Sequence, residues 1–277
     1  MKNSNIKIIV CCHKPDVWKS DDIYMPIHVG KEISKVDLGI QGDNTGINIS
    51  NKNKSYCELT GLYWAWKNLK GLDYIGLCHY RRYFNFHERG TAFCDYKIVS
   101  PKDFDNLNLT LPIIEKAFTK YDVILAKPQV YPVDLFTGYC ISHVREDVYT
   151  FKNIIKTKYP EYENAFKERI FKSNKLSHYN MFIMKWDYFD QYCTWLFSIL
   201  DEAEKIINIE HYSDEQSRIW GYMGERLLLL FVHQNKMRVK YYPIYWITEN
   251  IEEQSLLNKL QRQIRSELAF NLMKTRK

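Results

Sequence analysis

Long apolar runs are absent from this sequence. Residues 1–7 are polar, the apolar run at 8–12 is too short for the core of a signal peptide, and the longest later run spans 227–232. A membrane-spanning helix needs about 20 consecutive apolar residues. We therefore expect a cytoplasmic protein, which could lie at the inner face of the cell membrane.

The sequence also lacks a Cys-x-x-Cys pair, an internal repeat and a low-complexity linker. Its seven cysteines are odd in number and scattered, and most stand among apolar or aromatic residues. A structural zinc site is therefore disfavoured, and reduced core cysteines are predicted.

Strong charge of either sign is absent too. The formal net charge is +6 over 277 residues, and the charged residues are dispersed. This balance argues against nucleic acid as a partner but permits anionic partners such as a sugar diphosphate or an acidic membrane surface. Hydrophobic residues make up 45% of the chain, so one domain can bury a large core, with or without a helical appendage.

Short apolar runs alternate with helical segments along the chain. We predict buried strands at 7–12, 73–78, 122–126, 179–184 and 239–245, and helices at 57–68, 146–157, 186–207 and 213–235. This alternation predicts an α/β domain with a mainly parallel central sheet flanked by helices. We place this domain at 1–246 and a basic C-terminal helical tail at 247–277.

Basic side chains follow two of the predicted strands. His13 and Lys14 follow the first strand, and the segment HYRRYF begins at His79, where the second strand ends. Ligands of open α/β sheets bind beyond the carboxyl ends of the strands. Arg81 and Arg82 would point to opposite sides of a strand, so at least one would face this crevice and could bind a phosphate. A salt-bridged strand exit would account for the same residues.

Two further segments offer polar groups to a ligand. Asp43 and Asn44 lie in the loop GDNTGINIS and could bond a ribose or a base, although turn residues also suit an ordinary surface loop. His178 and Asn180 lie at the entrance of the strand predicted at 179–184. The aromatic segment 56–68 suits core packing at least as well as stacking on sugars, although a buried Glu58 would need a role.

The segment RIWGYMGERL at 218–227 combines two glycines with an acidic residue. Gly221 and Gly224 could let a ligand approach the helix, and Glu225 could act as a general base. Taken alone, Glu225 and Arg226 are better explained as a surface ion pair.

Together these segments resemble one family, the bacterial capsular and exopolysaccharide glycosyltransferases long described as domain of unknown function 4422. The matching pieces stand in the family's order from the first strand to about residue 245: CCHK, DNTGINIS, YCELTGLYWAWKN, DYIGLCHYRRYF, DVILAKP, YNMFIMKWDYFDQYCTWLFSIL and RIWGYMGERLL. The resemblance implies a GT-A-like, Rossmann-related fold. It also implies transfer of galactofuranose from UDP-galactofuranose, with inversion to a β-linkage, onto a lipid-linked or growing glycan. Galactopyranose or another hexose is the alternative.

The resemblance and the strand-end positions together assign roles to individual residues. The donor-binding set is His13, Lys14, Asp43, Asn44, Asn48, Tyr80, Arg81 and Arg82. The set that binds the acceptor or its sugar is His178, Asn180, Arg218 and Gly224. By analogy with an acidic glycine-rich turn in several inverting GT-A enzymes, Glu225 is predicted to deprotonate the acceptor hydroxyl. Asp134 and Asp147 are its rivals, and His79 could donate to a phosphate or act as an acid.

No convincing acidic metal motif is present, so no metal-binding residue is assigned, although Mn²⁺ or Mg²⁺ could still take part. Many GT-A enzymes carry Asp-x-Asp at the end of the strand that here ends in His79, Tyr80 and Arg81. We therefore hypothesise that Arg81, Arg82 or His79 replaces the metal in stabilising the leaving UDP. The one Asp-x-Asp pair, Asp103 and Asp105, lies at a predicted helix start and is interpreted as capping chemistry.

The tail and the class of function each leave an alternative open. The apolar positions 256, 257, 260, 264 and 268 form a stripe in a basic helix, which could dock on an anionic membrane or pack on the domain or a second subunit. A carbohydrate-binding protein without catalysis would suit the aromatic content of 15%, but it would not need a diphosphate site.

Overall fold

The computed structural model describes residues 4–87, 95–112, 114–249 and 255–274. Its strands are β1 (Ile6–Cys12), β2 (Tyr24–His28), β3 (Tyr74–His79), β4 (Arg82–Phe84), β5 (Tyr96–Val99), β6 (Val123–Ala126), β7 (Gln129–Val130), β8 (Lys175–Leu176), β9 (Phe182–Lys185), β10 (Val239–Tyr242) and β11 (Ile244–Ile247). Its helices are α1 (Asn53–Tyr56), α2 (Leu59–Asn68), α3 (Ile114–Phe118), α4 (Leu135–Ser142), α5 (Arg145–Lys158), α6 (Glu163–Phe166), α7 (Trp186–Ile206), α8 (Ile219–Gln234) and α9 (Leu256–Lys274). A π-helical turn, Lys167–Phe171, follows α6.

The central sheet follows the order β10-β6-β9-β3-β4-β11-β5, and β1 joins it by pairing with β3 on one side and β2 on the other. Helices cover this sheet, and a helix follows it at the C-terminal end. The predicted α/β class, with a helix-flanked sheet and a C-terminal helix, is confirmed.

The strand directions are more mixed than a mainly parallel sheet. The pairings β1 with β2, β1 with β3, β6 with β10 and β5 with β11 are parallel, whereas β9 runs antiparallel to both β3 and β6. After β6 the chain passes through α4, α5 and α6 and comes back to the edge of the sheet where β6 ended. β9 starts at that edge and therefore runs antiparallel to its two neighbours, β3 and β6. Alternation of strands and helices in a sequence does not report this direction.

Alternate residues of the central strands enter two separate cores. Ile9 and Leu77 pack with α2, α7 and α8 on one face, whereas Ile8 and Cys78 join an aromatic cluster around Tyr83 on the other. A sheet covered on both faces needs strands that are apolar throughout, which explains the continuous apolar runs of β1 and β3.

The carboxyl ends of β1, β2 and β3 meet at one edge of the sheet because these three strands are parallel. β9 begins at the same edge because it is antiparallel to β3. His13, Val29, His79 and the residues just before β9 are therefore brought together, and the functional site is built there.

The C-terminal helix α9 packs on the domain beside β5. Lys259 is fully buried, and its Nζ donates a hydrogen bond to the backbone oxygen of Tyr96 at 2.6 Å. Arg262 pairs with Asp95 at 2.8 Å. Within the described parts of the chain, no helix is both long and apolar enough to span a bilayer.

Candidate functional site

A cavity of about 610 Å³ opens at the carboxyl ends of β1, β2 and β3. It is bounded by the start of α2, the start of α8 and the turn before β9. Its charged lining consists of four cations and two carboxylates, namely Lys54, Arg82, Arg218, Arg226, Glu58 and Glu225. His13, His79, His143 and His178 also line it. This excess of positive charge suits an anionic ligand of the size of a nucleotide.

The two adjacent arginines of HYRRYF take different positions after β3: Arg81 lies in the turn to β4, and Arg82 is the first residue of β4. The Arg81 guanidinium binds Asp16 through Nε at 2.7 Å and through Nη2 at 2.5 Å, away from the cavity lining. Arg82 faces the cavity and lies over the ring of Tyr179 at 4.1 Å, with Trp246 at 5.4 Å. Of these two arginines, Arg82 is therefore the one placed to bind a ligand in this cavity.

His79 fixes the turn that precedes β9. Its Nε2 donates a hydrogen bond to the backbone oxygen of Tyr179 at 2.7 Å. Burial lowers the pKa of His79, and this effect outweighs the opposing influence of Glu58. A neutral ring at physiological pH suits a role in positioning better than a role as a proton donor.

The turn before β9 is held in a left-handed conformation. Tyr179 has φ 71° and Asn180 has φ 50°, which few residues other than glycine adopt. The Tyr179 N–H donates to Glu225 Oε1 at 2.5 Å, and Asn180 Nδ2 donates to Glu58 Oε1 at 2.7 Å and to the Gly221 oxygen at 3.1 Å. The turn thus connects both carboxylates of the cavity.

Both carboxylate oxygens of Glu225 have neighbours in the protein. Its Oε2 lies 3.5 Å from His178 Nδ1 and 3.9 Å from Arg226 Nη1. His178 is fixed in turn, because its Nε2 bonds the Tyr131 hydroxyl at 2.5 Å. Burial raises the pKa of Glu225, but His178, Arg226 and the Tyr179 N–H together lower it below its ordinary value. Glu225 is therefore an ionised anchor of the turn.

Arg218 and Cys57 line the cavity next to each other. The Arg218 Nε donates to Cys57 Sγ at 3.3 Å, and burial is the main cause that raises the pKa of Cys57 to about 11. Cys57 has φ 52°, so three of the four described non-glycine residues with positive φ lie at or directly behind the cavity. Such conformations cost about 1–3 kcal/mol each and cluster at functional sites.

The two glycines of RIWGYMGERL make room for protein side chains. A Cβ on Gly221 would lie 3.2 Å from Cys57 Sγ, and a Cβ on Gly224 would lie 3.1 Å from Asn180 Oδ1. Gly221 lines the cavity, whereas Gly224 lies behind it. The two glycines therefore allow the side chains of Cys57 and Asn180 to pack closely against α8.

Several predicted donor-binding residues lie outside the cavity lining. The Asp43 carboxylate is fully buried and accepts hydrogen bonds from the Gly30 and Lys31 N–H groups and from the Ser50 hydroxyl. Asn48 accepts the Ser50 N–H at 3.1 Å, and Asn44 contacts Glu32 at 3.4 Å. These side chains shape the loop. Of the remaining donor candidates, Lys14 is exposed and Tyr80 packs edge-on against His13.

The two rival bases are also engaged elsewhere. Asp134 caps α4 by accepting the Thr137 N–H at 2.7 Å. Asp147 is buried and accepts hydrogen bonds from the hydroxyls of Tyr139 and Tyr212 at 3.2 and 2.7 Å. Neither residue lines the cavity.

Six of the residues predicted to be catalytic or to bind donor or acceptor line the cavity, namely His13, His79, Arg82, His178, Arg218 and Glu225. The sequence analysis assigned no role to five other residues that line the cavity, namely Glu58, Arg226, Lys54, His143 and Tyr222. The signal for Glu58 was a carboxylate inside an aromatic segment. Nothing in the sequence marked His143 and Tyr222. Their rings, whose centroids lie 4.3 Å apart, come together only in the folded chain.

Among the residues that the structure describes, no group of three His, Cys, Asp or Glu side chains is arranged to hold a metal ion. The six described cysteines are free thiols: Cys11, Cys12, Cys57, Cys78, Cys140 and Cys193. The remaining one, Cys94, lies outside the described residues.

The fold and the cavity define an α/β protein with a cationic cleft at the carboxyl ends of its parallel strands. The chain belongs to the family described as Domain of unknown function (DUF4422), which it matches over residues 7–236. That span includes every residue that lines the cavity.

Among solved structures, the chain is similar to the apo structure of WbbM, a bifunctional glycosyltransferase, with 31% identity and a TM-score of 0.79. The match covers 88% of this chain and 46% of that chain, so this chain spans about half the length of WbbM. No curated protein matches the chain.

Proposed function

We propose that this chain is a glycosyltransferase that transfers a hexose from a nucleotide-sugar donor to a glycan or lipid-linked acceptor. The observation that carries the proposal is the likeness to the glycosyltransferase WbbM over 88% of the chain. The cationic cavity at the strand ends supports it, because a donor diphosphate needs cations and hydrogen-bond donors at the leaving group.

We assign the diphosphate to the side of the cavity that presents Arg82. This guanidinium faces the cavity with no carboxylate on it in the described structure, and its contact with the Tyr179 ring at 4.1 Å restrains it. A fixed guanidinium can bind two phosphate oxygens at once. Of the three groups suggested to replace a metal, Arg82 fits best, since Arg81 is bound to Asp16 and His79 to the Tyr179 oxygen. Activity that EDTA abolishes and Mn²⁺ restores would refute this replacement.

The finer proposal is a GT-A-type enzyme that transfers galactofuranose from UDP-galactofuranose, with inversion, in the synthesis of a capsule, exopolysaccharide or O-antigen. It rests on the family resemblance of the motifs, and galactopyranose or another hexose remains the alternative donor sugar. A panel of nucleotide sugars, compared by the rise they cause in melting temperature with and without Mn²⁺, identifies the donor by mass action.

The first prediction concerns Arg82. We expect Arg82→Ala to lower kcat/KM for the donor by about 10²-fold, since losing one preorganised donor at a developing charge typically costs that much. Arg82→Lys should recover little, because an ammonium group lacks the planar pair of N–H donors with which a guanidinium binds two phosphate oxygens side by side. Arg265→Ala, an exposed change on α9, is the control. Equal donor kinetics for wild type and Arg82→Ala would remove Arg82 from the donor site.

A non-catalytic carbohydrate-binding protein is the second candidate function. The neighbouring rings of His143 and Tyr222 at the cavity favour it, since aromatic faces bind sugars. Hydrolysis of a UDP-sugar without acceptor separates the two, because a binding protein leaves the donor intact.

We also propose that α9 contacts an anionic membrane surface. Leu257, Ile264, Leu268 and Leu272 are 61%, 49%, 58% and 63% exposed and form one stripe at helical spacing. The buried residues Lys259, Ser266 and Phe270 lie on the opposite face, against the domain. Arg265 is exposed on α9, and the sequence after the helix adds Arg276 and Lys277. Such a helix favours an anionic bilayer.

A liposome flotation assay tests this contact. We expect the chain to float with vesicles that contain anionic lipid, less so at high salt, and not with neutral vesicles. The double change Ile264→Ser with Leu268→Ser should abolish flotation, whereas Ile141→Ser, at a site 74% exposed on α4, should not. Flotation of the double variant at the wild-type level would refute the membrane contact.

A further inference from the structure

The two carboxylates of the cavity differ in how many of their oxygens are free. Glu225 uses Oε1 to accept the Tyr179 N–H at 2.5 Å, and its Oε2 faces His178 and Arg226. Both oxygens are therefore committed to the protein. Proton transfer to Glu225 would weaken the contacts that hold the left-handed turn at Tyr179 and Asn180.

Glu58 has one oxygen held and one available. Its Oε1 accepts a hydrogen bond from Asn180 Nδ2 at 2.7 Å. No residue in the described part of the chain bonds its Oε2, and Glu58 lines the cavity. This is the arrangement that a general base needs: one oxygen fixes the carboxylate, and the other meets the substrate.

The support for Glu58 is rigid. Asn180 also donates to the Gly221 oxygen at 3.1 Å, and Gly224 leaves it the space it needs. Asn180 itself is buried and adopts φ 50°. The amide that orients Glu58 is therefore fixed by α8 and by the turn before β9, which is how a catalytic side chain is preorganised.

We propose that Glu58, which the Tyr179–Asn180 turn holds in the same cavity as the Glu225 anchor, is the general base of the transfer reaction and that Asn180 positions it. The inference rests on the proposed glycosyltransferase function. The acceptor O–H gives its proton to Glu58 Oε2 as the acceptor oxygen bonds the anomeric carbon. The bond from that carbon to the donor phosphate oxygen breaks, and its electron pair leaves with the nucleoside diphosphate. This proposal assigns the role of base to Glu58 in place of Glu225, to which the analogy with several inverting GT-A enzymes had pointed.

The decisive experiment compares Glu58→Gln with Glu225→Gln in the full chain. The probes are UDP binding by calorimetry and steady-state transfer from the donor that the panel identifies. We expect Glu58→Gln to bind UDP within about threefold of wild type and to lose at least about 10²-fold in kcat, the range that general-base catalysis supplies. We expect Glu225→Gln to lose less than about tenfold in kcat and to melt at a lower temperature.

Each other outcome has a definite meaning. Retention of kcat within about threefold by Glu58→Gln, or loss of kcat only in Glu225→Gln, overturns the assignment while leaving the proposed function intact. A wild-type chain that neither binds UDP nor transfers any sugar refutes the proposed function and the base together. If Glu58→Gln does not fold, Glu58→Asp takes its place, since it withdraws the carboxylate by one methylene and should lower kcat at unchanged UDP affinity.

Discussion

At the scale of single residues, neighbours in the sequence take different roles in the fold. Arg81 lies in the turn between β3 and β4, so the strand alternation expected for the pair does not apply to it. Arg81 binds Asp16, whereas Arg82 begins β4 and lines the cavity. Asp43, predicted to bind donor, has its oxygens occupied by backbone N–H groups of the adjacent loop. A sequence marks both residues as polar groups near a strand end and does not distinguish a ligand contact from a loop contact.

Asp43 carries the residue-scale prediction. We expect Asp43→Ala to lower the free energy of unfolding by about 2–4 kcal/mol, because each backbone N–H group left unpaired costs about 1–3 kcal/mol. Asp43→Asn should lose less, since the amide oxygen still accepts one hydrogen bond. Urea unfolding measures both, with Asp214→Ala at an exposed loop position as control. An Asp43→Ala protein as stable as wild type would show that the loop does not depend on this carboxylate.

At the scale of secondary structure, most predicted elements exist, and the departures have local causes. β2 is a strand that the sequence analysis does not predict, and it contains Pro26. Its one partner among the strands named above is β1, an edge position where a sheet tolerates proline. The strand predicted at 179–184 begins later, at Phe182, because Tyr179 and Asn180 adopt left-handed φ values. The helix α8 continues through Gly221 and Gly224 because other side chains pack against them.

Gly76 in β3 carries the element-scale prediction. A Cβ there would lie 2.9 Å from the Phe182 oxygen of β9 and 2.9 Å from Ile183 Cγ1. Since a backbone oxygen in a paired strand cannot move aside, we expect Gly76→Ala to lower the free energy of unfolding by about 1–3 kcal/mol.

The matched control for Gly76 is Gly138→Ala in α4. Its Cβ would meet only Val133 Cγ2 at 3.7 Å, an ordinary contact. Alanine is a better helix former than glycine by about 1 kcal/mol, so this change should stabilise the protein. Chemical denaturation of the two variants should therefore give shifts of opposite sign, and shifts of the same sign would contradict the close approach of β3 and β9.

At the scale of the whole molecule, the cavity is assembled from segments far apart in the chain, and α9 packs on the domain beside β5 and β7. The domain boundary at 246 stays a prediction, although β11 (Ile244–Ile247) belongs to the sheet and α9 docks beside β5 through Lys259 and Arg262. A basic tail is thus bound through two of its cations, while its apolar stripe faces outward.

Lys259 carries the prediction at this scale. We expect Lys259→Ala to loosen α9, because the fully buried amine that donates to the Tyr96 oxygen is lost. Limited proteolysis with thermolysin, which cleaves at apolar residues, should release C-terminal peptides several times faster than from wild type. Arg265→Ala, at an exposed position on the same helix, should be cleaved like wild type. Equal cleavage of all three proteins would show that Lys259 does not hold the helix.

The sequence by itself determined the α/β class, the buried strands, the cationic strand ends and the likeness to one family. These properties follow from local periodicity and from contiguous motifs, so they can be read without contacts. Only the tertiary structure decided which polar groups share the cavity. Glu58 and Asn180 stand 122 residues apart and meet because β9 returns antiparallel beside β3. Burial and partners, which set the chemistry of a carboxylate, arise only when such distant segments pack together.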